Sequence, residues 1–273
     1  MEIIKTSRQY VGKAKKNRKE GEQMFKNIDR YKAEIDALHP IEDFRSKQIK
    51  DYFKIKLTYS SNVLEGNSLT GSEIKEILEN GSKIDENRMW DYYDVVGHAK
   101  AYDYLYDIVK YAILSEEHIK TLHRLLYSLV DADVGTEQGG TYRTQRIQVS
   151  GSDYPTPTPE KIPPLMLGFV KWLVHNEDKL HPVEFAARAH KELDCIHPFM
   201  DGNRRVERLL MNLCLIRKGY PVTSISLDLR DEYIMLLEKA HSDDKPFTEF
   251  IAARVEEAQQ DLIKLLKNDF KII

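Results

Sequence analysis

The chain has 273 residues, of which 41% are hydrophobic and 31% are charged, and its formal net charge is −3. This length suits one large domain or two small ones, and the slightly negative charge disfavours nucleic acid as a general partner. No run approaches the roughly 18 apolar residues of a membrane span, and the N-terminus lacks the apolar stretch of a signal peptide. We therefore expect a cytoplasmic protein without membrane contact, whose two cysteines, Cys195 and Cys214, are buried thiols.

The first half of the chain predicts a series of helices. Helical spacing of apolar residues predicts them over 11–38, 41–60, 70–81, 90–109 and from 115 onward. The segment 11–38 is rich in Lys and Glu, so a partly disordered tail is the alternative there. Thr70 and Glu73 form a capping-box pair, and Gly81 is a suitable stop for the helix that this pair opens.

Residues 135–164 break the helical pattern. Five prolines and the pair Gly139–Gly140 exclude a long helix across this segment. Within it, Arg146–Ser150 alternates polar and apolar residues, which is the period of a strand, and Gly151 closes the run. We therefore expect one short β-hairpin on an otherwise helical body.

The rest of the chain returns to helical patterns. Further helices are predicted over 164–175, 182–194, 206–218, 230–241 and 246–266. Pro182 suits the first position of its helix, and Gly219 followed by Pro221 provides a stop after the third of these segments. The pattern as a whole predicts an all-α protein.

One string, from His197 to Arg208, carries most of the chemical information. It reads His-Pro-Phe-Met-Asp-Gly-Asn-Arg-Arg-Val-Glu-Arg, and helical spacing begins at Val206. Its polar residues therefore stand at a helix N-terminus, where up to about four N–H groups lack an intrahelical partner. Arginine is unfavourable there by about 0.3–1 kcal/mol each, so three arginines indicate that an anion binds in front of them.

The residues beside the arginines complete a phosphate and metal site. Gly202 lets backbone approach an anion closely, and Asp201 is free to hold a hard cation such as Mg2+. His197 is the nearby side chain that takes up a proton near neutral pH, which suits a general base. Any one of these residues alone would more often belong to a turn or a helix cap, whereas the whole string favours a site.

The same string resembles the signature of the Fic family, His-x-Phe-x-Asp/Glu-Gly-Asn-Gly-Arg-x-x-Arg. It matches at every fixed position except one, where Arg204 replaces the second glycine. The similarity extends over roughly residues 60–253. Most Fic proteins transfer AMP from ATP to a hydroxyl of a protein target. The resemblance therefore implies a protein AMP-transferase that uses ATP and Mg2+ and modifies a Ser, Thr or Tyr side chain.

The resemblance also implies a role for each residue of the string. His197 is the catalytic base that deprotonates the target hydroxyl, and Asp201 holds Mg2+ on the α and β phosphates. The nucleotide and its phosphates are held by Gly202, Asn203, Arg204, Arg205, Arg208 and Tyr233. Phe199 anchors the string in the core, and Arg230 and Tyr233 belong to the helix under the adenine.

The fold implied by the resemblance is an all-α, Fic-type helical bundle with one short β-hairpin as a flap. On this basis the chain divides into an N-terminal helical arm, an inhibitory-helix region, a catalytic core and a C-terminal helical tail, at residues 1–58, 59–110, 111–254 and 255–273. The flap spans 139–164. Its residues Ile147, Gln148 and Val149 are expected to offer a strand edge to the target chain beside His197.

A second motif, Ser61-x-x-x-Glu65-Gly66, resembles the Fic inhibitory motif Ser/Thr-x-x-x-Glu-Gly/Asn. The spacing places Ser61 and Glu65 on one face of a helix. In the family this glutamate pairs with the last signature arginine, here Arg208, and denies its donors to the γ-phosphate. The resemblance thus implies intramolecular autoinhibition. It also supports AMP removal at the same site, because the equivalent glutamate of an animal Fic protein positions a water molecule.

Because Arg204 replaces a glycine of the signature, phosphoryl transfer is an alternative activity. The Doc branch of the family carries a lysine at this position and acts as a kinase with the nucleotide reversed. Since Gly202 and Arg208 are present here and both are altered in Doc, AMP transfer is favoured over phosphoryl transfer. A nucleotide-binding module without turnover is the third alternative. The expected partner is a protein target, and self-modification and a homodimer remain open.

Overall fold

A computed structural model describes residues 25–38, 43–82, 84–111, 113–134, 139–149 and 152–267. These ranges contain ten α-helices and three short 3-10 turns. The helices are α1 Lys26–Ala37, α2 Asp43–Val63, α3 Gly71–Asn80, α4 Met89–Ile108, α5 Glu116–Val134, α6 Ile162–Asn176, α7 Pro182–Ile196, α8 Asn203–Arg217, α9 Arg230–Lys239 and α10 Lys245–Lys267. The first part of the predicted arm, residues 1–24, lies outside the described residues.

The predicted β-hairpin of the flap is wrong, because the described residues of 139–164 contain no strand. Ser150 and Gly151 lie outside the described residues. Pro155 and Pro157 lack the N–H groups that a ladder on the return arm would need. Side chains hold the segment instead: the Thr156 hydroxyl donates to the carbonyl of Ile147 at 2.5 Å, and the Arg143 guanidinium donates to the Pro157 carbonyl at 2.6 Å. The alternation over 146–149 therefore belongs to an unpaired segment.

Local signals set the ends of several helices as predicted. The Thr70 hydroxyl accepts from the N–H of Glu73, and the Glu73 carboxylate accepts in return, which is a complete capping box at the start of α3. Gly81 ends that helix with φ of 65°, a left-handed conformation in which glycine carries no steric penalty. Gly219 follows α8 with φ of 74° in the same way.

Helix α8 runs through the centre of the bundle, and most of its residues are buried. It packs along α7 on one side, while α4 and α5 form the other closely packed pair and reach α8 from there. The approach of α4 to α5 depends on Gly97, since a Cβ atom there would lie 2.2 Å from the Leu126 carbonyl oxygen. The packing of α7 along α8 holds in place the short loop between them, which begins the string from His197 to Arg208.

The first and last described helices pack against each other and join the same core. The Gln259 amide of α10 donates to the Ile28 carbonyl of α1 at 3.0 Å, and Lys267 pairs with Glu34 at 2.5 Å. Ile28 lies in the main hydrophobic cluster. No helix among the described residues is long and apolar enough to cross a membrane.

Candidate active site

His197 lies where α7 ends and the loop to α8 begins. It is the single non-glycine residue with positive φ, 48°, in the part of the chain that the structure describes. This left-handed conformation stops the helix and turns the chain, at a cost that surrounding contacts must offset. Arg143 provides those contacts: its Nε donates to the His197 carbonyl at 2.8 Å, and its backbone N–H donates to the Pro198 carbonyl at 2.9 Å.

The loop then forms an anion-binding helix start. Gly202 has φ of 73°, and a Cβ atom there would lie 2.9 Å from the Tyr127 ring, so glycine is required on both grounds. The first intrahelical bond of α8 runs from the N–H of Val206 to the Gly202 carbonyl. The N–H groups of the three residues between them therefore have no partner within the helix and can bind an anion.

Asn203 uses its side chain to hold the loop closed. Its Oδ1 accepts from the N–H of Phe199 at 2.9 Å, and its Nδ2 donates to the Phe199 carbonyl at 2.9 Å. Phe199 is fully buried and stacks on the His123 ring with centroids 3.8 Å apart. The predicted anion contact of Asn203 is thus left to its backbone N–H.

The His197 imidazole is uncharged at neutral pH. Burial lowers its pKa to about 4, and the positive charges of Arg204 and Arg143 act in the same direction. A neutral imidazole can accept a proton, whereas an imidazolium cannot. The side chain lines a cavity together with Asp201 and Gly202, so the base faces the place where an anion would bind.

Asp201 extends into this cavity, with 81% of its side chain exposed. Burial of the carboxyl by its neighbours acts to raise its pKa, but the Tyr127 hydroxyl and Arg205 outweigh that effect, and the pKa falls below its usual value. The Tyr127 hydroxyl donates to Asp201 Oδ2 at 2.8 Å and accepts from Arg205 Nη2 at 3.2 Å. Arg205 also forms a short ion pair with Asp94 of α4.

Arg208 is buried and held by the end of α2. Its Nη2 donates to Glu65 Oε1 at 2.8 Å and to the Ser61 carbonyl at 2.9 Å, and its Nε donates to the Ser61 hydroxyl at 3.0 Å. Burial acts to raise the pKa of Glu65, but Arg208 outweighs it and lowers the pKa. Ser61, Glu65 and Arg208 thus form the group that the inhibitory motif implied.

Most of the predicted site residues line one cavity, which we call the main cavity. Its lining residues are Glu65, Ile147, Gln148, Val149, His197, Met200, Asp201, Gly202, Asn203, Arg204 and Arg205. Arg208 does not line it, because the guanidinium is 1% exposed and covered by Glu65. Tyr233 does not line it either: the side chain is buried, and its hydroxyl lies 2.9 Å from His190 Nε2.

A smaller side cavity lies between the flap segment and α9. It is lined by Val149, Ser152, Tyr154, Pro155, Thr156, Asp194, Cys195, Arg204, Ile234, Leu237, Glu238 and His241. Tyr154 stacks on His241 with ring centroids 4.1 Å apart. Arg204 lines both cavities, so the residue that departs from the Fic signature stands between them.

Two acids, the partly buried Asp194 and the fully buried Glu207, lie close to His197. Burial raises the pKa of Glu207 well above its usual value and raises the pKa of Asp194 to about 6. Asp194 adds to the rise in the pKa of Glu207, which Arg204 and Arg208 oppose, whereas Arg204 and a hydrogen bond with Glu207 oppose the rise in the pKa of Asp194. Because burial outweighs the charges of Arg204 and Arg208, the Glu207 carboxyl is more stable in its neutral form.

The sequence did not predict the residues that contact the signature string from distant parts of the chain. Asp94, His123, Tyr127 and Arg143 come from α4, α5 and the flap segment. The His123 Nδ1 accepts from the N–H of Gly140 at 2.8 Å, so its Nε2–H donates to the Asp201 carbonyl at 3.0 Å. None of these residues belongs to a motif of fixed spacing, and only the folded chain brings them to the signature.

Fold and site together define an all-helical protein with an anion-binding loop at the start of its central helix. Residues 113–215 match the Fic/DOC family, and the chain belongs to that family. The protein adenylyltransferase Fic of Drosophila melanogaster is 32% identical over 234 residues, which are 85% of this chain and 46% of that protein. The chain thus spans less than half the length of the curated relatives that it matches.

Two solved structures share the fold. Fic-1 of C. elegans, residues 134–508, superposes with a TM-score of 0.81 at 26% identity, covering 97% of this chain and 77% of that one. A Fic-domain-containing signaling protein of Bacteroides thetaiotaomicron superposes with a TM-score of 0.79 at 28% identity, covering 88% of this chain and 98% of that one. The bundle continues beyond the matched residues 113–215 in both comparisons.

Proposed function

We propose that this protein transfers AMP from ATP to a hydroxyl of a protein side chain. One observation carries the proposal: an uncharged His197 imidazole, the Asp201 carboxylate and the free N–H groups at the start of α8 face one cavity. These are a proton acceptor, a cation ligand and an oxyanion site, the three parts that phosphoryl chemistry needs. The relatives named protein adenylyltransferase support the same reaction.

In this reaction His197 accepts the proton of the target hydroxyl, and the hydroxyl oxygen attacks the α-phosphorus of ATP. The bond from that phosphorus to the oxygen bridging to the β-phosphate breaks, and pyrophosphate leaves with the electron pair. The N–H groups at the start of α8 and the Arg205 guanidinium stabilise the charge that gathers on the phosphate oxygens. Because the transition state carries more charge on these oxygens than the bound substrate, the donors lower the barrier.

Mg2+ fits the exposed carboxylate of Asp201. Magnesium sites commonly combine one or two carboxylates with substrate phosphates and water, so a single carboxylate in an open cavity is sufficient. When bound there, the ion would neutralise charge on the phosphates. Tyr127 and the N–H of Gly202 each bond one oxygen of the carboxylate and fix its direction.

We place the nucleoside of ATP at the side cavity and the target chain along the flap segment. The side cavity adjoins the main cavity through Arg204, and its volume is about 30 Å³, so the rings of Tyr154 and His241, which stack on each other, would have to part to hold a nucleobase between them. The target chain lies along Ile147–Val149, whose residues line the main cavity opposite His197. This arrangement brings a target hydroxyl to the base while the nucleotide stays on the helix side.

We further propose that Glu65 inhibits the enzyme from within the chain. The carboxylate occupies the guanidinium of Arg208, so the arginine has fewer donors for a phosphate and the triphosphate meets an added negative charge. Arg230 extends the lock, since its Nε donates to the Leu64 carbonyl at 2.9 Å beside Glu65. Removal of AMP by a water held on Glu65 is a variant of the same site.

Phosphoryl transfer is the second candidate, favoured by the place of Arg204. Its guanidinium lines the main cavity and adds a positive charge where a reversed nucleotide would present its transferring phosphate. We rank it below AMP transfer because Gly202 keeps the left-handed turn that frees the N–H groups of α8. Self-modification, a homodimer and a cytoplasmic location remain predictions.

The test uses Glu65→Gly with ATP labelled at the α or the γ phosphate, in lysate of the cell that makes the protein. We expect label on protein from α-labelled ATP alone, and ATP binding about tenfold tighter or more, since a charge-assisted contact contributes about 1.5–3 kcal/mol. The matched control is Glu65→Gly combined with His197→Ala, which should bind ATP and transfer nothing. If label reaches protein from γ-labelled ATP alone, the activity is phosphoryl transfer and the proposal of AMP transfer is wrong.

A further inference from the structure

Three neighbouring side chains, one of which is His197 itself, carry groups that can bind a metal. They are the carboxylate of Asp194, a ring nitrogen of His197 and the carboxylate of Glu207, and their ligand atoms lie within 4.8 Å of one another. Asp194 and His197 stand at the end of α7, and Glu207 stands in the second turn of α8. The close packing of these two helices brings the groups together.

Asp194 faces Glu207 within this cluster, and its Oδ2 also lies 4.0 Å from His241 Nε2, whereas the other two members lack a partner outside the cluster. Both carboxylate oxygens of Glu207 and the Nδ1 of His197 are buried without a hydrogen bond in the described part of the chain. The Glu207 side chain is 0% exposed. A carboxyl buried in this way is more stable protonated until a cation binds, and binding of the cation then releases the proton.

We propose that Asp194, His197 and Glu207 bind one divalent transition-metal ion, of which Zn2+ fits best. One imidazole and two carboxylates form the mixed N and O donor set of zinc sites, whereas Mg2+ takes oxygen ligands. Zinc–ligand bonds of about 2.0–2.2 Å place ligand atoms roughly 3.4 Å apart, so a small side-chain movement closes the cluster on the ion. The two carboxylates balance the charge of the ion.

One member of the cluster borders a cavity: Asp194 lines the side cavity together with Cys195 and His241. Three protein ligands leave a fourth position for water on that side. Arg204 lines the same cavity, and its positive charge opposes a cation. The arginine that departs from the Fic signature would therefore weaken the site, and its removal should strengthen it.

Zinc at this site would hold the catalytic base in an inactive form. A neutral imidazole carries one proton, so a metal on Nδ1 confines that proton to Nε2. The Nε2 then donates and cannot accept the proton of a target hydroxyl. This inhibition rests on the proposed function, but the binding of zinc does not.

Metal binding to the full chain tests the proposal directly. Protein freed of metal by a chelator is titrated with Co2+, followed by visible absorbance, and then with Zn2+ in competition. We expect one ion per chain. Glu207→Gln and Asp194→Asn, which keep the side-chain shapes, should each weaken zinc binding at least about tenfold, since even losing a supporting contact costs about that much. Arg204→Gly should tighten it.

Asp201→Asn is the matched control, because it removes a carboxylate from the main cavity and should leave zinc affinity unchanged. Thermal melting establishes that each variant is folded, and Asp194→Asn, at the cavity wall, remains usable if Glu207→Gln is not. Absence of stoichiometric binding, or equal affinity in wild type and both folded ligand variants, overturns the proposal. Zinc binding in a protein that never transfers AMP would instead overturn the function and leave the metal site standing.

Discussion

At the scale of single residues, His197 is set apart by its backbone conformation and by the charge state of its ring. It adopts a left-handed backbone conformation, and its ring is kept neutral by burial and by nearby arginines. The first places the ring in the wall of the main cavity, and the second keeps it ready to accept a proton. Arg143 makes this possible, since it bonds the His197 carbonyl and also repels a proton from the ring.

We predict that His197→Ala abolishes AMP transfer while ATP still binds. A general base typically contributes about 10²–10⁴ in rate, and the phosphate donors of α8 are untouched by the change. Transfer is measured with labelled ATP in the Glu65→Gly background, and binding by calorimetry. Unchanged turnover in a folded variant would contradict the role of the base. Loss of binding together with turnover would point to a collapse of the loop.

Arg204 is the residue at which this chain leaves its family, and it carries a separate prediction. If the nucleotide binds with its α-phosphate at the start of α8, Arg204→Gly keeps AMP transfer. It can even raise the rate, because backbone then approaches the phosphates more closely. If the nucleotide is reversed, the variant loses phosphoryl transfer, because a charged donor disappears from the transferring group. We expect the first result in the α-label and γ-label assay.

At the scale of elements, the flap segment is held by side chains and not by a ladder. The Thr156 hydroxyl donates to the Ile147 carbonyl, and the Arg143 guanidinium donates to the Gln145 carbonyl. Gln148, the next residue after Ile147, is exposed and lines the main cavity. An exposed extended segment can still bond a target chain through its backbone. Among its described residues, the flap therefore has no paired strand that target binding would displace.

We predict that Gln148→Pro reduces modification of the target more than it reduces ATP binding. Proline removes one backbone donor and fixes φ in the segment that faces the target. Gln148→Ala is the matched control, since it removes the side chain and keeps the N–H. The two variants are compared by target labelling and by ATP affinity. Equal losses in both assays, or equal effects of alanine and proline, would indicate that the flap serves only as a cover.

The same elements show how far the sequence could lead. Helix ends follow from local rules, so Thr70 with Glu73, and the glycines after α3 and α8, were predictable. The hairpin was not, because alternation over a few residues does not say whether a partner strand with free N–H groups exists. The string from His197 to Arg208 is likewise local. Its supports at Asp94, His123, Tyr127 and Arg143 depend on packing between distant helices.

At the scale of the whole molecule, the bundle buries several histidines in neutral form. His98, His123, His190 and His197 lie on or next to α4, α5 and α7, around the central helix α8. Burial lowers their pKa values to about 3, 4, 3 and 4. In the unfolded chain the same side chains titrate near 6.5. Between these values the unfolded state binds more protons than the folded state.

Stability should therefore fall as the pH is lowered from about 6.5 towards 4. Each such histidine contributes stability that is fully present above its unfolded pKa and is lost, by about 1.4 kcal/mol per pH unit, as the pH falls towards its folded pKa. The raised pKa values of Asp194 and Glu207 act in the opposite direction, because their neutral forms relieve the folded state at low pH. The histidines outnumber the acids, so the net free energy of unfolding should decrease.

His98→Gln isolates one of these contributions. The His98 ring is fully buried, and its Nδ1 lies 3.1 Å from the Thr58 hydroxyl, a contact that a glutamine amide can make. Urea unfolding at several pH values, with a chelator present, gives the slope of unfolding free energy against pH. We expect the slope of the variant between about pH 4 and 6 to be smaller by roughly one proton, about 1.4 kcal/mol per unit. An unchanged slope would mean that His98 takes up its proton equally in both states, and the acid sensitivity would then lie in the remaining buried histidines.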